Sequence, residues 1–123
     1  MHTFPEIKVK ATNFPHTPEI ESVLQKRLAT LEKFLPGDET ALLCDAELEK
    51  LAEHQTGRVY RAEVNLQVGG ELLRAEAVEE RMEDAIDRVR DELKRELTKL
   101  SGKRQSVFRR GAARLKEMMR FGR

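Results

Sequence analysis

The chain has 123 residues, which suits one domain, and its apolar (39%) and charged (37%) fractions indicate a folded protein with a highly charged surface. Its single cysteine, Cys44, excludes an internal disulfide, and no leader or apolar run of about 20 residues is present, so we expect a cytoplasmic protein without membrane spans. Residues 1–100 carry 15 Lys and Arg against 21 Asp and Glu, whereas residues 101–123 carry eight against one. This asymmetry points to a partner bearing phosphates, or to an acidic surface that binds the basic segment.

The first predicted elements are a short strand and a helix. Apolar and polar residues alternate over 7–12, which predicts a strand with Lys8 and Lys10 on its polar side. The hydroxyl, proline and acid of 17–19 are typical of a helix N-terminus. The helix that follows has a single apolar stripe, and Pro36-Gly37-Asp38 ends it. The stripe consists of Ile20, Leu24, Leu28, Leu31 and Leu35.

Three more strands and a second helix complete the predicted domain. Alternation predicts strands at 42–49, 60–68 and 71–78, and Gly69-Gly70 predicts a hairpin between the last two. A helix over 80–100 follows, ended by Ser101-Gly102. The order β-α-β-β-β-α predicts a two-layer α+β domain over 1–102, with a mostly antiparallel four-stranded sheet and both helices on one face. Residues 103–123 form a basic C-terminal tail that could be an amphipathic helix.

A search of the sequence for catalytic chemistry yields no site. The histidines, His2, His16 and His54, are far apart and lack metal-ligand spacing. The serines lack the partners that activate a nucleophile, and the sequence contains no glycine loop of the phosphate-cradling type. We therefore expect no enzymatic activity, no metal or other cofactor, and no small-molecule substrate.

Basic residues follow a helical spacing in both predicted helices. In the second helix, Arg81, Arg88, Arg95 and Lys99 form one narrow ridge that could meet several phosphates. The alternative is a solvated flank with Glu–Arg pairs at three- and four-residue spacing, and Glu92 lies within the ridge. In the first helix, Lys26 and Lys33 lie on one side, with Arg27 on a flank.

The basic tail leaves three interpretations open. It could be an RNA-binding arm that becomes ordered on contact, a basic helix on an anionic membrane, or a segment that docks on the acidic body of its own or a sister chain. Its many cations and few aromatic groups favour contacts with a nucleic-acid backbone over base reading. The cations of this segment that we expect to contact RNA are Lys103, Arg104, Arg109, Arg110 and Arg114.

Three sequence stretches, placed within the predicted element order, resemble a known family. They are Thr17-Pro18-Glu19-Ile20, the run RLATLEKF over 27–34, and the run RMEDAID over 81–87. Together they resemble the ribosome hibernation promoting factor and ribosome-associated inhibitor family in its short form, over about residues 6–104. The resemblance implies a fold similar to double-stranded-RNA-binding domains. It also implies a stress-response factor that binds the small ribosomal subunit between head and body, where messenger and transfer RNA lie, and so inhibits translation.

The resemblance also implies which residues contact ribosomal RNA. Carried over by position, they are Arg27, Lys33, Arg95, Lys99 and Lys103. Geometry alone adds Lys8, Lys10, Lys26, Arg81 and Arg88. Two other functions remain open: a protein-interaction module whose basic tail docks on an acidic partner, and a general RNA-binding domain that reads RNA by shape. The oligomeric state is left undetermined.

Overall fold

The computed structural model describes residues 4–36, 41–51 and 56–121, and the side chains of 4–36, 43–51 and 56–103. The predicted order β-α-β-β-β-α is confirmed. The elements are β1 (Ile7–Thr12), α1 (Pro18–Ala29), a 3-10 segment (Thr30–Phe34), β2 (Ala41–Lys50), β3 (Tyr60–Val68), β4 (Glu71–Glu79) and α2 (Met82–Phe121).

The four strands form one sheet in the order β1-β2-β3-β4. β1 pairs with β2 in parallel, whereas the β2–β3 and β3–β4 pairs are antiparallel. A parallel pair needs a crossover connection, and α1 provides it. The sheet is therefore mostly antiparallel, as the alternating sequence predicts.

Local sequence explains where α1 begins and how it ends. Thr17 caps the N-terminus, because its Oγ1 accepts a hydrogen bond from the Ile20 amide at 3.2 Å, and Pro18 occupies the first turn. The last turn tightens into the 3-10 segment. Leu35 is extended, with φ −66° and ψ 135°, because the following Pro36 disfavours a helical conformation there.

One hydrophobic core lies between the sheet and the helices. The inward side chains of all four strands pack against the apolar stripes of α1 and α2, and α2 lies over β3 and β4. All five residues of the predicted first-helix stripe are buried. Cys44 is fully buried in this core, and the desolvation of its thiol, with a smaller effect of the Asp45 charge, raises its pKa to about 12. The two-layer α+β architecture follows from this one-sided burial.

The hairpin between β3 and β4 has the two-residue turn that the sequence predicts. Gly69 adopts φ +58°, a left-handed conformation that side chains disfavour. Val68 pairs with Glu71 on either side of the turn. The turn thereby fixes the register that sends Ala62, Val64 and Leu66 into the core.

Helix α2 contradicts the prediction that Ser101-Gly102 ends it. The helix runs without a break from Met82 to Phe121, 40 residues or about 60 Å. Gly102 lacks the positive φ of a glycine that ends a helix. In the described part of the chain, the only glycines with a positive φ are Gly57 and Gly69. A helical glycine costs about 1 kcal/mol relative to alanine, too little to end a helix between long helix-forming runs. The basic segment 103–121 therefore continues α2, and no helix in the described residues is both long and apolar enough to cross a membrane.

Candidate nucleic-acid interface

Helix α1 with its 3-10 segment and the first half of α2 lie side by side and run in the same direction. Arg27 contacts Asp87 near the start of this junction, and Phe34 contacts Lys94 seven residues further along both elements. The solvent-facing side of these elements, from residue 18 to 34 and from 82 to 103, is called the helical surface below. It carries seven of the 14 cations that the sequence singles out.

Arg27 is held at this junction by an ion pair. Its Nε donates to Asp87 Oδ1 at 2.6 Å, and both side chains are about 40% exposed. A guanidinium has five N–H donors, and this bond uses one of them. Arg27 therefore links the two helices and still presents donors to an incoming anion.

Lys33 and Lys94 flank one aromatic ring. Their Nζ atoms lie 5.4 Å and 4.9 Å from the centroid of the Phe34 ring, within cation–π range. Both lysines are exposed, and Phe34 is partly buried against the core. Within the described residues, neither ammonium group has a carboxylate oxygen within 4.0 Å, the limit used for an ion pair. Lys94 was not predicted from the sequence, because its aromatic partner is 60 positions away.

The predicted ridge of α2 has three paired cations and one unpaired cation. Arg88 bonds to Glu79 at the end of β4 at 3.1 Å, so this flank faces away from α1. Arg81 lies 3.8 Å from Glu83, and Lys99 lies 3.6 Å from Glu96. Arg95 has no carboxylate oxygen within 4.0 Å among the described side chains. Exposed ion pairs contribute only about 0–1 kcal/mol, so these cations can exchange a carboxylate for a phosphate.

A shallow groove runs along the exposed side of α2 between the ridge and the Phe34 site. It encloses about 540 Å³. Three of its five lining side chains are cationic and one is acidic, and Thr98 supplies a hydroxyl whose Oγ1 donates to the Lys94 carbonyl at 2.8 Å. An extended anion would fit this combination of positive charge and open access. The lining residues are Asp91, Lys94, Arg95, Thr98 and Lys99.

Two more predicted RNA contacts lie on the helical surface. Lys26 is exposed in the last turn of α1, and Lys103 is exposed on α2 beyond Leu100, the last buried core residue among the described side chains. The side chains of four predicted contacts in the tail fall outside the described residues. These are Arg104, Arg109, Arg110 and Arg114.

Lys8 and Lys10 lie on the opposite side of the molecule. They point from edge strand β1 onto the open face of the sheet, which the helices leave uncovered. The parallel register places Lys8 beside Asp45 and Lys10 beside Glu47. The structure therefore does not bring these two lysines together with the cations of the helical surface. Charged edge residues of this kind also discourage edge-to-edge pairing of sheets.

The centre of the open sheet face is a cluster of carboxylates around Arg61. Its guanidinium bonds to Glu47 at 3.3 Å, Glu49 at 3.4 Å, Glu76 at 3.0 Å and also to Glu63. Burial would raise the pKa of Glu63, but the hydrogen bond from Asn65 and the charges of Arg61 and nearby Arg74 outweigh it and lower that pKa. Glu63 thus stays ionised at neutral pH, and this face presents few cations that are free to meet phosphates.

The described residues contain no cluster of three or more histidine, cysteine or acidic side chains that could hold a metal ion. His16 lies on the surface with its Nε2 3.1 Å from Glu21 Oε1, while His2 and His54 fall outside the described residues.

Comparisons with known proteins agree with this architecture. The model of the Sigma 54 modulation protein / S30EA ribosomal protein family matches residues 7–105. Comparison with curated proteins gives no significant match. Among solved structures, the N-terminal domain of Protein Y from Thermus thermophilus is similar, with a TM-score of 0.64 and 23% identity over 79% of this chain and 98% of that one.

A second solved structure, a ribosomal subunit interface protein from Coxiella burnetii, has a TM-score of 0.62 and 16% identity. The match covers 83% of this chain and 99% of that one. At these identities the two structures support the fold. The family match spans most of the chain and includes α1, the whole sheet and the first half of α2. The chain therefore belongs to the Sigma 54 modulation protein / S30EA ribosomal protein family, whose members are non-enzymatic, ribosome-associated factors of ribosome hibernation.

Proposed function

We propose that the chain inhibits translation by occupying the messenger- and transfer-RNA channel of the small ribosomal subunit, with its helical surface against ribosomal RNA. One observation carries this proposal: among the described side chains, five cations of the helical surface have no carboxylate oxygen within 4.0 Å, whereas the open sheet face, which holds Lys8 and Lys10, also holds the carboxylate cluster around Arg61. Among the described side chains, these unpaired cations are Lys26, Lys33, Lys94, Arg95 and Lys103. Residues 18–34 and 82–103 carry nine Lys and Arg and nine Asp and Glu, so the positive charge that this surface offers to RNA is that of its unpaired cations.

The mechanism is exclusion by volume, without bond making or breaking. A rigid two-layer domain fills space that tRNA and mRNA would otherwise occupy, and phosphate contacts hold it there. Such contacts position a protein on RNA without reading the RNA sequence. They suit the helical surface, because the only aromatic side chain in its described part is Phe34, which is partly buried. Each neutralised phosphate releases counterions, so the affinity should fall steeply with salt.

The proposal is tested by co-sedimentation with small ribosomal subunits over a salt series, followed by competition with tRNA. We expect binding at low salt, loss of binding as salt rises, and displacement of tRNA by the bound protein. Absence of co-sedimentation at low salt would end the proposal.

A matched pair of double variants tests which face binds. Lys26→Gln with Arg95→Gln removes two cations from the helical surface, and Lys8→Gln with Lys10→Gln removes two from the open sheet face. We expect at least a tenfold loss of affinity for the first pair, about 1.4 kcal/mol, and less than a threefold loss for the second. The reverse order would show that the sheet face meets the RNA.

A further inference from the structure

Lys94 belongs to none of the sequence motifs and lies on α2 beside the ridge of Arg88, Arg95 and Lys99. The groups around its ammonium nevertheless favour the binding of an anion. Its ammonium lies over the same ring as that of Lys33, and the two distances to the ring centroid place the two cations within about 10 Å of each other. The sum of these two distances is an upper limit on their separation, and two like charges nearer than this repel one another. Among the described side chains, no carboxylate within 4.0 Å of either ammonium relieves that repulsion.

Phe34 explains how the protein keeps the two cations together. The faces of an aromatic ring carry partial negative charge and attract ammonium groups. The ring is partly buried against the core, so its position is fixed by packing. A lysine side chain loses conformational freedom when it binds a phosphate, and a side chain already held on a fixed ring loses less.

We propose that Lys33 and Lys94, held on the ring of Phe34, form a clamp for a backbone phosphate of RNA. The groove next to Lys94, which Arg95 and Lys99 also line, would carry the phosphodiester chain onward from the clamp. The clamp bridges the two helical elements, since Lys33 belongs to the 3-10 segment and Lys94 to α2. This inference rests on the proposed function and adds to it the residue Lys94 and the role of the ring.

The test compares Lys94→Met with Lys50→Met. Lys50 is a fair control because its ammonium also lies over an aromatic ring, that of Tyr60 at 5.9 Å, but it belongs to β2 rather than to the helical surface. Each variant removes one charge and one cation–π contact. We measure the affinity for small ribosomal subunits as a function of salt. Lys94→Met should weaken binding five- to tenfold and reduce the slope of log K against log salt by about 0.7 to 0.9, one phosphate contact. Lys50→Met should leave the slope unchanged.

A double-mutant cycle with Lys33→Met tests whether the two lysines act together. If they share one phosphate, the loss in the double variant should be smaller than the product of the two single losses. Phe34→Leu keeps both charges and an apolar side chain, and should weaken binding two- to fivefold without changing the salt slope. Equal effects of Lys94→Met and Lys50→Met, or a strictly multiplicative cycle, would overturn the clamp.

The outcomes separate this inference from the proposed function. If the unmodified chain does not bind small subunits at low salt, the proposed function fails. If it binds and displaces tRNA but Lys94→Met behaves like Lys50→Met, only the clamp fails. Thermal unfolding of each variant checks that the fold is retained, and Lys94→Arg, which keeps the charge, should restore most of the affinity.

Discussion

Replacing Arg61 by methionine should destabilise the domain through the carboxylates that it leaves behind. The Arg61 side chain is 17% exposed and bonds to four glutamates, of which Glu63 is the least exposed at 13%. Removing one partner of a fully buried ion pair costs about 3–5 kcal/mol, whereas exposed pairs contribute about 0–1 kcal/mol. This half-buried cluster lies between those limits, so we expect a loss of about 2–3 kcal/mol at pH 7.

The loss should depend on pH in a defined direction. In the unmodified protein the pKa of Glu63 in the folded state lies below its ordinary value of 4.5. This group therefore stabilises the fold above pH 4.5. Its contribution is lost as the pH falls through the lower pKa of the folded state. Without Arg61 the glutamates repel each other, and the pKa of Glu63 in the folded state rises because one of the charges that lower it is gone. The variant therefore loses less stability in acid, and the difference between the two proteins should shrink below pH 4.5.

Urea denaturation of both proteins at pH 7 and at about pH 3.5 measures this difference. The control is Arg58→Met, which removes a cation that is 64% exposed and bonds to Glu79 at 3.3 Å, and which should cost less than about 1 kcal/mol. A difference between Arg61→Met and the unmodified protein that stays the same at both pH values would refute the electrostatic argument.

Three further outcomes are expected. Leu93→Ala should lower the free energy of unfolding by about 2–5 kcal/mol in urea denaturation, because Leu93 is fully buried; a loss below about 1 kcal/mol would contradict its place in the core. Cys44, buried with a pKa of about 12, should resist thiol labelling at about pH 8 until urea unfolds the chain, so rapid labelling of the native protein would show that the thiol is accessible. Deletion of residues 103–123 should weaken ribosome binding at least tenfold, about 1.4 kcal/mol, and an unchanged affinity would show that the tail is not an anchor.

The strands and the apolar stripes were predictable because burial is one-sided. Each strand has one face toward the helices, so its sequence alternates, and β3 shows this most clearly from Tyr60 to Val68. The end of α2 was not predictable in the same way. A Ser-Gly pair ends a helix only when the glycine turns left-handed and the chain beyond it leaves the helix, and the sequence after Gly102 consists mainly of helix-forming residues.

The candidate site was predictable in part, for a different reason. Helical spacing places Arg88, Arg95 and Lys99 on one flank of α2, because phase within a helix depends on sequence distance alone, whereas Arg81 precedes the first residue of the helix, Met82. Whether a cation is paired depends on residues from other elements. The Arg27–Asp87 bond and the Lys94–Phe34 contact each join positions 60 apart, and only the packing of α1 against α2 brings them together.

The net charge of a chain is a weak guide to its partner when acidic clusters and unpaired cations lie on different faces of the fold. The acidic excess of residues 1–100 opposes RNA binding only where the RNA meets the acids, and RNA meets one surface at a time. The carboxylates around Arg61 lie on the far side of the sheet, separated from the helical surface by the sheet and a helix about 10 Å across. Distance weakens the repulsion between those carboxylates and a phosphate at the clamp, and salt screens the part of their field that passes through water, where the decay length is about 8 Å at physiological ionic strength. The affinity should therefore follow the few cations that lack a nearby acid, and a count of all charges would miss both the strength and the orientation of binding.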